Sequence, residues 1–427
     1  MRIASEPSYG EFCTIGVWRN EDCRKVVRSS FQSTISHKTR DDVTRDLERY
    51  GGICDCQQTK DSVIYAASCH ISGVEQVLKL IADTVLRPTI SSEEFSLAKE
   101  VVRSNIQAIN MKPEPEELLT DLIHMAAYRD NTLGLPKICP SENLDKIDVS
   151  MLYAYMKTYF TPARMVAASI GVDHDRFVEA TKQCFEDSPP IWEQNRGLLP
   201  DHMPSIDESV SQYTGGLMEK DLSNVGLAIN PFPELVHFAL GFESCGYKDE
   251  DFVPFCVLNS LMGGGKGMYT RLYLNVLNLH HWLYNATSYN MIYSDSGLFY
   301  IYTSAEPSKV STDANIVADF KEELSRAKIQ LQSMLLMNLE QRPVMFEDVA
   351  RQVLGHGYRK SPLDYVEEIN KVSATDIHRI AERLLSSSPA VVGYGTLRKL
   401  PDYEKIQKSI AKRDVSHLRP QKFYAFS

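Results

Sequence analysis

The run Gly263-Gly264-Gly265-Lys266-Gly267-Met268 gathers the residue types best able to bring bare backbone up to a ligand. Glycine has no Cβ, so such a run adopts positive φ without penalty and lets N–H groups approach a bound molecule closely. It does not have the pattern of a nucleotide loop. A phosphate-binding loop needs G-x-x-x-x-G-K-[ST] after a strand. Here Gly267 follows Lys266, no glycine stands at the earlier position, and the preceding Phe252–Met262 reads as a helix. The dinucleotide pattern G-x-G-x-x-G fails as well, because Thr270 occupies its last glycine position. On the residues alone, the run is either a ligand-approaching loop or a plain turn between Phe252–Met262 and a second helix-like run at Tyr269–Leu279.

Carboxylates are the next candidates. Glu322 and Glu323 precede the helical pattern Ser325-Arg326-Ala327-Lys328, and Glu347 and Asp348 follow Arg342-Pro343 near the start of another. First-turn carboxylates are stabilised by the helix dipole, which suffices to explain them. If they face a cavity, they attract arginine side chains through charge-assisted hydrogen bonds. Metal and nucleophile chemistry find little support. The 11 histidines include neither H-E-x-x-H nor H-x-x-E-H, and His280-His281 are adjacent rather than spaced on one helix face. His124 sits among the apolar residues of Leu118–Ala127 and reads as a helix-face residue, not a ligand. No G-x-S-x-G nucleophile elbow occurs.

The elements that must position these residues come in two similar sets. Glu94–Lys99 (Glu-Phe-Ser-Leu-Ala-Lys) recurs as Glu323–Lys328 (Glu-Leu-Ser-Arg-Ala-Lys). Each opens a long apolar-periodic stretch that reaches a proline, Pro113 or Pro343, and then a second helical pattern ending at Tyr128-Arg129 or Tyr358-Arg359. A third match pairs residues 146–171 with 371–395: a polar start, a helix, a proline turn at Thr161-Pro162 or Ser388-Pro389, and an apolar strand. Three matches in one order define an internal duplication. The spacing predicts a strand at 12–18, a helix at about 40–50, a strand near 62–69 and a helix near 72–86. The second half predicts a strand at 236–242 and a helix at 251–262. The fold class expected is α+β, as two duplicated domains joined through the Pro-, Asn- and Gly-rich stretch from Ser188 to Pro204.

The 46 Lys+Arg against 56 Asp+Glu give a net charge of −10, which argues against nucleic acid as a partner and suits a basic one. No apolar run approaches the roughly 20 residues of a membrane span. The nine cysteines offer only the C-x-C of Cys54 and Cys56, read as buried structural thiols in a reducing compartment. The start, Met1–Ser5, has neither the apolar core of a signal peptide nor a basic amphipathic stretch, so the residues suggest either a cytosolic protein or a missing N-terminus.

Residues 263–278, followed by His281–Tyr289, resemble the glycine-rich region of the mitochondrial processing peptidase α-subunit family. Asn338–Leu354, Gly51–Cys56, Ala126–Arg129 and Gln212–Gly216 resemble that family too, so the likeness covers nearly the whole chain. The resemblance implies a pitrilysin-like fold: an N-terminal α+β domain at 1–190, a linker at 191–210, and a C-terminal domain at 211–427 carrying the loop, each domain a mainly antiparallel sheet with helices packed on it. It implies a non-catalytic subunit in the mitochondrial matrix, or peripheral on the inner membrane, that recognises basic presequences. The partner would be a β subunit holding the zinc, so this chain would carry no cofactor and no catalytic residue. The substrate-contact positions carried over are Gly263, Gly264, Gly265, Lys266, Gly267, Met268, Glu323, Glu347 and Asp348.

The chain departs from the family in three places. The glycine loop lacks an insertion, a helix is missing before Ser29–Thr34, and the segment between Val310 and Lys321 is short. The first strand of the family is also expected to be missing, along with the import signal. These departures keep an inactive α-like paralogue, or a misassembled gene product, in view. A structural core subunit of respiratory complex III is the alternative on the same fold, and the histidine pattern argues against a self-sufficient zinc peptidase.

Overall fold

A computed structural model describes residues 1–8, 10–20, 33–112, 115–137, 139–203, 209–222, 235–264, 267–306, 320–397 and 401–413. In chain order the first half contributes β1 (Arg2–Glu6), β2 (Phe12–Asn20), α1 (Arg40–Glu48), β3 (Ile53–Gln58), β4 (Ser62–His70), α2 (Val74–Leu86), α3 (Ser92–Met111) and α4 (Glu116–Ala127). It continues with α5 (Ser141–Leu144), α6 (Val149–Tyr159), β5 (Met165–Ile170), α7 (His174–Phe185) and α8 (Ile191–Gln194). The second half contributes β6 (Gly216–Asp221), β7 (Val236–Glu243), α9 (Phe252–Met262), β8 (Leu283–Ile292), β9 (Gly297–Ala305), α10 (Phe320–Leu339) and α11 (Arg342–His356). It closes with α12 (Pro362–Lys371), α13 (Ala374–Ser386), β10 (Ala390–Gly395) and α14 (Tyr403–Lys412).

The duplication read from the sequence is present strand for strand. One sheet runs β1-β5-β2-β4-β3 and the other β6-β10-β7-β9-β8. In each, the first pair is parallel, β1 on β5 and β6 on β10, and the other pairs are antiparallel. The strand expected to be missing is there: Arg2–Glu6 occupies the place in the first sheet that β6 holds in the second. Five residues pairing in parallel with β5 supply it, a short edge element with no alternating pattern to announce it. The polar helix starts act as N-caps. Asp148 accepts from the Met151 N–H at 2.7 Å, and Ser373 forms a capping box with Asp376.

The compact units are not the two contiguous halves. The first comprises residues 1–111, 136–209 and 336–360, and the second 112–135, 210–335 and 361–427. Each unit thus takes one helix from the other half of the sequence, α11 in the first and α4 in the second. The reason lies in the strands. Every residue of β5 and of β10 is buried, so both faces of each sheet must be covered. In the first unit Met165 and Ala167 face the core beneath α2, α6 and α7. Val166, Ala168 and Ile170 face the other way, onto Phe346, Val349, Ala350 and Val353 of α11. In the second unit Ala390, Val392 and Tyr394 meet Leu119, Ile123 and Ala127 of α4, while Phe242 and Phe299 pack with residues of α9 and α13 on the opposite face.

Both exchanged helices are fixed by specific contacts. Arg2 donates from Nη1 to the carbonyls of Val353 and Leu354, each at 2.8 Å. A cation at the C-terminal carbonyls of a helix satisfies unpaired acceptors and complements the dipole. Arg342 at the other end of α11 donates to the Phe12 carbonyl. Gly16 of β2 leaves room for Phe346 against the strand, since a Cβ there would stand 2.7 Å from Phe346 Cζ. On α4, His124 donates from Nδ1 to the Thr120 carbonyl at 2.6 Å. Its Nε2 therefore accepts from the Tyr293 hydroxyl at 2.6 Å when the ring is neutral. His124 is buried and structural, as its apolar surroundings in the sequence suggest.

Phe346 is 1% exposed and spans the contact between α11 and the first sheet. Phe346→Ala is expected to destabilise the protein by about 3–5 kcal/mol in denaturant unfolding. A loss below about 1 kcal/mol would show that α11 does not carry that face of the core.

Candidate functional site

Helix α9 is apolar over most of its surface and ends abruptly at glycine. The N–H groups of Gly263 and Gly264 both donate to the Asn259 carbonyl, at 3.1 and 2.8 Å. Gly264 lies against the Asn259 side chain, where a Cβ would stand 2.2 Å from Nδ2. Asn259 in turn accepts from the Ser288 hydroxyl of β8 at 3.0 Å. Gly265 and Lys266 lie outside the described residues. At Gly267 the carbonyl accepts from Thr270 Oγ1 at 3.1 Å, and the Gln330 amide rests where a Cβ would be. The helix expected at Tyr269–Leu279 is a wider turn of π type over Tyr273–Leu277. The Asn278 N–H reaches back to the Tyr273 carbonyl at 2.9 Å.

This turn and α10 enclose a cleft of 450 Å³ in the second unit. Leu261 of α9 lines it, with Gly267, Met268 and Tyr269 from the loop and Glu323, Arg326, Ile329 and Gln330 from α10. The structure therefore brings three of the expected positions, Gly267, Met268 and Glu323, to one cavity. Gly263 and Gly264 stand just outside its lining, at the end of α9. Sequence reasoning missed the rest of the α10 wall. The signal was available: positions 323, 326, 330 and 333 recur at three- and four-residue intervals, the spacing of one helix face.

Charge in the cleft is mostly compensated. Glu323 Oε2 accepts from Arg271 Nε at 2.6 Å, and the two side chains are only 11% and 17% exposed. Such a short pair, largely removed from water, is a strong charge-assisted contact. Arg326, by contrast, is exposed. Around it Met268, Tyr269 and Ile329 are each more than half exposed, at 65%, 70% and 64%.

Glu347 and Asp348 belong to α11 in the first unit and do not line the cleft. Burial is the main influence on Glu347 and pushes its carboxyl pKa up. Arg351, with Nη2 at 3.9 Å, counters this in part and Asp55 adds to it. Asp348 accepts from Gln352 Nε2 at 2.9 Å, and Gln352 Oε1 accepts from the Lys360 N–H at 2.7 Å. This chain of contacts ties the end of α11 to the loop after it. Among the described residues no group of three or more His, Cys, Asp or Glu is placed to hold a metal ion. No helix of the described residues is long and apolar enough to cross a membrane.

Two matching five-stranded sheets, each with one parallel edge pair, define a duplicated α+β protein of the M16 peptidase type. A protease from Helicobacter pylori of known structure superposes with a TM-score of 0.75 over 92% of this chain and 96% of its own, at 16% identity, which establishes the fold alone. The family model described as insulinase (peptidase family M16) matches residues 26–141, and that of the peptidase M16 inactive domain matches residues 146–333. The mitochondrial-processing peptidase subunit alpha of Bos taurus is 44% identical over 445 residues, covering 97% of this chain and 84% of that protein. The corresponding protein of Caenorhabditis elegans is 42% identical over 450 residues, covering 98% and 87%. The chain belongs to the M16 family, in its group of mitochondrial-processing peptidase α subunits. Both alignments are longer than the 427-residue chain, so the relatives contain positions with no counterpart here.

Removing one partner of the Arg271–Glu323 pair leaves a mostly buried charge. Arg271→Met is expected to cost about 3 kcal/mol of stability, and the double variant with Glu323→Leu much less. A denaturant double-mutant cycle with no coupling would remove the pair as a support of the cleft. For Glu347, a raised folded-state pKa means the native state binds more protons than the unfolded chain above the ordinary value of 4.5. Stability attributable to this group therefore falls as pH rises through the interval between 4.5 and the raised value. Glu347→Gln should accordingly be neutral or stabilising at pH 7, with any gain fading once the pH drops below that interval. Clear destabilisation at pH 7 would contradict this.

Proposed function

We propose that the chain is a non-catalytic, substrate-recognising subunit of processing-peptidase type that acts in mitochondria. In this reading it pairs with a zinc-bearing β subunit and holds the basic presequence of an imported precursor while that partner cuts it. The observation that carries the reading is the relationship to α subunits over 97% of the chain, at 44% identity. In support of the reading, the glycine-loop residues Gly267 and Met268 and the first turns of α10 line one cavity of 450 Å³. A net charge of −10 favours encounter with a cationic peptide at low ionic strength.

The chain's own contribution is binding and presentation. Gly267 and Met268 would present the loop side of the cleft to an extended peptide, with α10 as the opposite wall. Bond cleavage and the metal belong to the partner.

Co-expression with the zinc-bearing subunit should yield a stable heterodimer that cleaves a presequence peptide, with neither chain cleaving it efficiently alone. Absence of pairing at micromolar concentration would end this reading. So would chelator-sensitive cleavage by the purified chain alone.

A further inference from the structure

Two of the buried cysteines stand opposite each other on neighbouring strands. Cys13 of β2 pairs in register with Cys69 of β4, and both side chains lie on the core face of the first sheet. Both are free thiols, 1% and 0% exposed, with their Sγ atoms 3.7 Å apart. The Cys13 thiol donates to the Cys69 carbonyl at 3.4 Å. Just beyond the strand ends the Ile71 N–H donates to the Glu11 carbonyl at 2.9 Å, which in this register makes 13 and 69 a hydrogen-bonded pair as well. The Cα atoms of such a pair lie about 5.5 Å apart. A disulfide closes over roughly 4.4–6.8 Å, so the spacing calls for side-chain rotation and no change of register.

The two thiols are not equivalent. Arg342 of α11 donates to the Phe12 carbonyl, beside Cys13. The hydrogen bond with Cys69 draws the Cys13 pKa down against the effect of burial, and the charges of Arg342 and Arg176 add to it. The same hydrogen bond, together with burial, pushes Cys69 up. Thiolate character in an electropositive setting is what makes a cysteine the attacking sulfur. Access follows from position in the strands. Cys13 is the second residue of β2 and Cys69 the next to last of β4, at a margin where Phe12 is 48% exposed. Opening this margin frees two strand ends and leaves the rest of the sheet paired, the kind of local fluctuation that costs far less than global unfolding.

We infer that Cys13 and Cys69 form a redox site: hydrogen peroxide converts them to an intrachain disulfide, with Cys13 as the attacking thiolate and Cys69 as the resolving thiol. The site is independent of the proposed role in presequence binding. The Cys13 thiolate attacks one peroxide oxygen, the O–O bond breaks, and the other oxygen leaves as hydroxide and is protonated to water. Cys13 is then a sulfenic acid. The Cys69 sulfur attacks Cys13 Sγ, the S–O bond breaks, and the second oxygen leaves as water with the Cys69 proton. One peroxide is reduced, two thiols are oxidised, and two waters form. The bond joins positions 56 apart in the chain and fastens β2 to β4 at the end where Arg342 of α11 meets the first sheet. A cross-link over that span restricts the unfolded chain, so the oxidised protein is the more stable form.

The test uses the whole purified chain, reduced, freed of reductant, treated with hydrogen peroxide and then blocked with a maleimide under denaturing conditions. The wild type should become lighter by two hydrogens before blocking and take up two fewer maleimides. Proteolysis should give a peptide in which Cys13 and Cys69 are joined, and dithiothreitol should restore both thiols. The oxidised protein should melt at a higher temperature than the reduced one, and Cys69→Ser should remove that shift. In Cys69→Ser, dimedone should trap sulfenic acid at Cys13 about tenfold more than it labels Cys69 in Cys13→Ser. Equal labelling in the two variants would contradict Cys13 as the attacking sulfur. Should either variant fail to fold, the wild-type peptide map decides alone. A map in which peroxide joins other cysteines, links two chains, or leaves Cys13 and Cys69 as thiols overturns the inference. So does a Cys13–Cys69 bond that forms only above the unfolding midpoint in urea, since it would then belong to the unfolded chain.

Discussion

Each sheet has two faces to bury, and the half of the chain that makes it supplies cover for one. This constraint organises the molecule. β5 and β10 are fully buried along their length, so exposing either uncovered face would put a continuous apolar strip into water. The second face of each sheet is closed by a helix drawn from the other half, α11 over the first sheet and α4 over the second. Arg2, Arg342 and Gly16 on one side, and His124, Tyr128 and Thr120 on the other, are the detailed fittings of that exchange. Neither half is a domain that could close its core alone. The duplication is thus more than a repeated motif, because the two copies complete each other.

Much of this was visible in the sequence for identifiable reasons. The strands at 12–20, 62–70 and 236–243 are apolar runs bounded by turn residues, and the helix starts at Asp148 and Ser373 carry capping side chains. The repeat of Glu94–Lys99 as Glu323–Lys328 marks equivalent helices, α3 and α10. The exchange of α4 and α11 was not legible. Helical periodicity says that one face is buried, but it is silent on which sheet does the burying. β1 escaped notice because a five-residue edge strand with intermediate burial has little pattern to read.

The site was legible in part, and the divide follows chemistry. Glycines announce themselves: a Cβ at Gly264 would stand 2.2 Å from Asn259 Nδ2. The carboxylates mislead. Glu323 looks like a free anion until Arg271, fifty-odd residues earlier in the chain, is placed against it. Glu347 and Asp348 look like a paired acidic patch, yet one is desolvated beside Arg351 and the other is hydrogen-bonded to Gln352 within α11. Ion pairs between distant residues have no signature in spacing, so acidic residues in a sequence are better evidence of charge than of availability.

That distinction bears on how a negatively charged chain can recognise a basic peptide. Long-range attraction depends on net charge and falls with salt, and it needs no particular carboxylate in the contact. Short-range discrimination depends on what remains uncommitted once the fold has formed. In the cleft the compensated pair leaves Met268, Tyr269, Ile329 and the exposed Arg326 as the surfaces that meet a guest. The pair itself ties the segment after the glycine turn to α10, through Arg271 Nε and Glu323 Oε2 at 2.6 Å, with both side chains largely removed from water.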